Sequence, residues 1–79
     1  MGKSKKTNFA LIVSEIVNAK RRRLFVREDF DAADVKSGLI YAHKWFHDLI
    51  PELDVNKDFE VRIVNADTNE TIYLTEMRT

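Results

Sequence analysis

Residues 16–28 read IVNAKRRRLFVRE and residues 63–76 read IVNADTNETIYLTE, so one phrase occurs twice with a long gap between. The second copy fixes its meaning. Phe59, Val61 and Ile63 alternate with Glu60 and Arg62, the period of a strand with one buried face. Asp67-Thr68-Asn69-Glu70 supplies short polar side chains that bond the local backbone and reverse the chain. Residues 59–64 and 71–77 therefore form a hairpin. The first phrase is read by analogy as a second one, although Phe9, Ile12, Val13, Ile16 and Val17 also fit helical spacing. Their β-branched density supports the strand. The second copy is one residue longer between its apolar anchors. A three-residue first loop and a four-residue second loop, or a bulge, would absorb the difference.

A helix is expected between the hairpins, from Ala32 to about Ile50. Asp31 is its expected N-cap, and Asp34 adds an acid to the first turn. Val35, Leu39, Ala42, Phe46, Leu49 and Ile50 make one apolar stripe, and Pro51 ends it by displacing Ile50 from helical geometry. Gly38 inside the helix implies close packing on a strand. The fold class is then α+β, ββαββ: a four-stranded, mostly antiparallel sheet with one helix on one face. In order of elements it resembles the immunoglobulin-binding domain of protein G and the β-grasp architecture. That likeness implies nothing about binding residues.

The 79 residues suffice for one core, with Met1–Thr7 read as a flexible basic tail and residues 8–79 as a single domain. Cysteine is absent, which removes disulfides and thiolate chemistry. No apolar run is long enough to span a membrane and no signal-peptide pattern opens the chain, so a cytoplasmic protein without membrane contact is expected. Net charge is zero but segregated. Residues 1–27 hold eight cations and Glu15 alone, whereas residues 28–79 hold five cations and twelve acids. Such a division suits a polyanion ligand or head-to-tail pairing of two copies.

Lys20, Arg21, Arg22 and Arg23 fall at the tip of the first hairpin, where folding does not require four adjacent cations. They read as a polyanion-binding finger or as a solvated turn. If the first hairpin follows the second, Ile12, Ile16, Leu24 and Val26 meet the helix. Leu11, Val13, Val17 and Phe25 then line the opposite face as an apolar patch, with Arg27 beside them. That patch is the expected partner-binding surface. His43 and His47 have the i, i+4 spacing of zinc ligands but lack a third ligand and an intervening glutamate. Tyr41 and Trp45 are read as widening the core contact. No catalytic set, cofactor motif or metal site is expected.

The expected function is a small non-catalytic protein-binding modulator that docks the first hairpin on a larger protein or on a second copy of itself. In size and composition it is similar to accessory proteins of phages and mobile elements that inhibit by contact. The alternative is a nucleic-acid-binding module using residues 20–23.

Overall fold

A computed structural model describes residues 6–78. Its elements are β1 (Thr7–Asn18), β2 (Arg21–Ala32), α1 (Val35–Leu49), a 3-10 turn (Ile50–Glu52), β3 (Phe59–Asn65) and β4 (Glu70–Met77). They form one sheet in the order β2-β1-β3-β4, and all three pairings are antiparallel. With β1 against β3 at the centre, the likeness to β-grasp domains goes no further than the order of elements. Thr7 pairs with Ala32 inside the sheet, so the expected tail loses that residue to β1. Residues 1–5, with Lys3 and Lys5, lie outside the described residues.

Both copies of the repeated phrase end a strand and open a turn through the same asparagine. Asn18 Oδ1 accepts from the Lys20 N–H at 2.9 Å, and Asn65 Oδ1 accepts from the Asp67 N–H at 2.9 Å. A side chain that satisfies the amide two residues ahead substitutes for the missing ladder bond. The second loop has the expected four residues, between Asn65 and Glu70, with Asn69 at a φ of 63°. The first is two residues long, not three, because a bulge at Val17 takes up the extra residue.

Helix α1 starts later than expected. Asp31 stays in the sheet opposite Asn8, so it does not cap the helix. Asp34 does: its backbone is extended (φ −154°, ψ 178°) and its Oδ1 accepts from the Ser37 N–H at 2.8 Å. That bond also holds the Asp34 carboxyl below its usual pKa. Ile50 keeps helical dihedrals (φ −48°, ψ −45°) despite the proline after it. Pro51 opens a 3-10 turn, where its missing N–H is not needed.

The core lies between α1 and one face of the sheet. Leu11 and Val13 from β1, Phe59, Val61 and Ile63 from β3, Ala42 and Leu53 form a single buried cluster. Phe46, Leu49 and Trp45 of the helix pack against it from the other side. The register explains the grouping: Leu11 sits opposite Ile63 and Val13 opposite Val61, so these four share a face. Their neighbours Ile12, Ser14 and Ala10 point the other way.

The expected faces of the first hairpin are therefore inverted for β1 and for Leu24, whereas Val26 packs against the core as expected. Leu11 and Val13 are fully buried under the helix and cannot form a partner surface. Ile12, Ile16 and Leu24 occupy the face that the helix leaves open. In the second hairpin, Tyr73 and Thr75 sit opposite Ile63 and Val61 on the helix side. Likeness between the two phrases could not set this phase. The antiparallel pairing of β1 with β3 did, and one step of register moves every side chain across the sheet.

Candidate binding surface

Three cross-strand rows build the open face. One runs Leu24, Ser14, Glu60, Glu76; the next Arg27, Ile12, Arg62, Leu74; the third Asp29, Ala10, Val64, Thr71. Arg22 and Ile16 extend it toward the tip of the first hairpin. Leu24 and Leu74 are more than half exposed, at 59% and 53%. Between them runs a charged network. Arg22 Nε lies 3.3 Å from Glu60 Oε2, Arg62 contacts the other Glu60 oxygen at 3.3 Å, and Arg22 approaches Glu76 at 3.8 Å. Arg78 closes the chain through Glu76 at 2.8 Å, which raises its already high pKa. The surface is an apolar and ionic mosaic carrying both signs.

Aromatic rings are all elsewhere. Phe9 stacks on Phe30 and Phe30 on Tyr41, at centroid distances of 5.7 and 4.7 Å. Phe25 meets Phe59 edge-on at 5.7 Å, and Tyr73 meets His43 at 4.9 Å. Trp45 and Phe46 pack on the core. Each ring lies on the helix or on the helix side of the sheet, so the open face offers no stacking platform to nucleobases.

The residues of the sequence-based site separate into different places. Leu11 and Val13 are core. Val17 sits in the bulge beside the turn and is 42% exposed, while Phe25 occupies a second bulge in β2 and is 47% exposed. Arg27 is on the open face and pairs with Asp29 at 2.9 Å. The four tip cations also divide. Arg22 turns back onto the sheet, where it binds Glu60 and donates from Nη1 to the Asn18 carbonyl at 2.9 Å. Lys20, Arg21 and Arg23 remain exposed and carry no ion pair among the described residues. Arg21, Arg22 and Arg23 border, with Val17, a depression of about 330 Å³. Leu24 and Leu74 were missed by sequence reading. The signal for Leu74 was present in the alternation of β4, but it depended on the phase of the sheet.

His43 does not point to a metal. Its Nδ1 is 2.8 Å from the Leu39 carbonyl, and no group of three His, Asp or Glu side chains that could hold an ion occurs among the described residues. An apolar cavity of about 70 Å³ under His43 and Tyr73 is far smaller than a small-molecule site of about 300 Å³ or more. No described helix is long and apolar enough to cross a membrane.

Comparison with protein-family models, with curated proteins and with solved structures finds no match to this chain.

Proposed function

We propose that this chain is a small, non-catalytic protein-binding module of the cytoplasm. It docks the open face of its sheet on another protein, with the exposed cations of the hairpin tip at the rim. The observation that supports this reading most is the pair Leu24 and Leu74, over half exposed on a face that no second layer covers among the described residues. Apolar side chains within a network of both charge signs suit a protein surface, where the hydrophobic part gives affinity and the charges fix orientation. The proposed surface differs from the one expected from sequence. It keeps the first hairpin but uses its other side, Ile12, Ile16 and Leu24, together with Leu74 of β4. An accessory protein that inhibits a larger machine by contact is the role this size and surface fit.

The alternative, nucleic-acid binding, draws on Lys20, Arg21 and Arg23. Against it stand the lack of rings on the open face and the acids Glu60, Glu76 and Asp29 within it. The deciding experiment is affinity capture from nuclease-treated extract of the native cell, with the wild-type chain and an L24D/L74D variant whose circular dichroism is unchanged. Specific proteins retained by the wild type and lost by the variant support the proposal. Equal retention by both overturns it. So does retention that nuclease abolishes, when joined by salt-sensitive nucleic-acid binding that Lys20, Arg21 and Arg23 substitutions remove.

A further inference from the structure

Strand β2 forms one edge of the sheet along its full 12 residues, and nearly every one is exposed. An edge this long presents a row of unpaired backbone groups, which proteins usually blunt with charge, proline, a bulge or a covering segment. The sequence RRRLFVREDFDA carries charge and a bulge at Phe25, but it sorts the charge by sign. It is cationic at the start, apolar in the middle and anionic at the end. We infer that β2 is a self-recognition edge, pairing antiparallel with β2 of a second copy to give a continuous eight-stranded sheet.

The charges select the register. With Arg23 opposite Glu28 of the second copy, Arg22 faces Asp29, and Lys20 comes level with Asp31. Leu24 then lies beside the Arg27 stem, and Phe25 beside Val26. Within one chain, Lys20, Arg23, Glu28 and Asp31 have no ion-pair partner among the described residues. The complement that each lacks is carried at the other end of β2 or in the turn before it.

A geometric condition is also met. Residues 22 and 29, or 23 and 28, are separated by an odd number of steps, which in a regular strand puts them on opposite faces. The bulge at Phe25 adds one residue and restores the match. Arg22, Leu24, Arg27 and Asp29 all pair with even-numbered residues of β1 on the open face. Arg23, Val26 and Glu28 pair with Glu15, Val13 and Leu11 on the helix face. The Arg22–Asp29, Arg23–Glu28 and Leu24–Arg27 contacts therefore each join two side chains on the same side of the joined sheet. The exposed apolar groups at this edge fit the same picture: Phe25 is 47% exposed, and Tyr41, stacked on Phe30 of β2, is 48% exposed. A two-fold axis perpendicular to the sheet leaves both open faces on one side, so that two copies present one surface of doubled length.

This inference shares Leu24 with the open-face reading, so its test relies on Arg23 and Glu28, which lie on the helix face. Sedimentation equilibrium tests it at about 100 µM chain, where a dissociation constant in the micromolar range gives mostly dimer. The expected mass is twice the 9.2 kDa of one chain. Arg23→Glu and Glu28→Arg should each weaken association at least about tenfold by placing like charges together. The double variant R23E/E28R should restore it, because the pair is recreated in reversed polarity. Circular dichroism of each variant checks that the fold is retained, and E28R removes no ion pair of the monomer. A wild-type chain that stays monomeric overturns the inference and leaves the open-face reading intact. A dimer that ignores both single substitutions, or single variants not rescued by the double, also overturns it. A dimer lost in L74D but not in R23E would instead assign self-association to the open face.

Discussion

The ring of Phe9 occupies the space that a side chain at residue 38 would need. A Cβ on Gly38 would lie 2.9 Å from Phe9 Cε2 and 3.0 Å from Cδ2. Phe9 is 1% exposed and stacked on Phe30, so it has little room to yield. Gly38→Ala gains up to about 1 kcal/mol of helix propensity and loses about 1–3 kcal/mol to overpacking. A net destabilisation of about 1 kcal/mol is expected. Urea titration should show a lower midpoint at an unchanged slope.

Truncation across β1 and β2 reads out which face is the core. Leu11→Ala should cost about 2–5 kcal/mol, because Leu11 is fully buried and its loss leaves a cavity. Leu24→Ala should stay within about 0.5 kcal/mol. Thermal melts of the two variants side by side provide the measurement, and equal losses would contradict the face assignment.

The tip cations should divide in the same way. Arg22→Ala leaves Glu60, whose side chain is 11% exposed, with Arg62 as its remaining ionic partner, and a loss of about 1–2 kcal/mol is expected. Combined alanine substitution of Lys20, Arg21 and Arg23 should change stability by less than about 0.5 kcal/mol. The triple variant should weaken association with a partner, through the rim charges, without altering the melt.

Asp34 makes the helix start sensitive to pH. Its carboxyl titrates below the ordinary value of 3.8 because the ionised form accepts from the Ser37 amide. A depressed carboxyl contributes stability that is fully present above its unfolded pKa and is lost as pH falls through the folded value. Asp34→Ala should therefore melt earlier than wild type at neutral pH, with the gap closing below pH 3.8. Asp34→Asn, which caps without ionising, should show a smaller gap at neutral pH and little pH dependence of its own.

Much of the architecture was legible because local chemistry specified it. The alternation of Phe59, Val61 and Ile63, the turn at residues 66–69 and the packing demand at Gly38 each act over a few residues. The asparagine shared by the two phrases opens both turns by the same hydrogen bond. The helix start was less legible. Asp31 and Asp34 are equally good caps, and only the continued pairing of β2 with Asn8 and Thr7 decides between them.

The phase of β1 was the part that sequence reading placed on the wrong side. In β1, Leu11 and Val13 are no more apolar than Ile12 and Ile16, so either set can face a helix. The sequence by itself determined two hairpins, one helix, their order, and a basic segment over residues 1–27 joined to an acidic remainder. Tertiary structure alone decided that β1 meets β3 antiparallel, that Leu11 therefore lies on Ile63 under the helix, and that Arg22 is drawn back to Glu60. The physical reason is that strand phase is a property of pairs. A strand that is apolar on both sides carries no preference until its neighbour supplies a register.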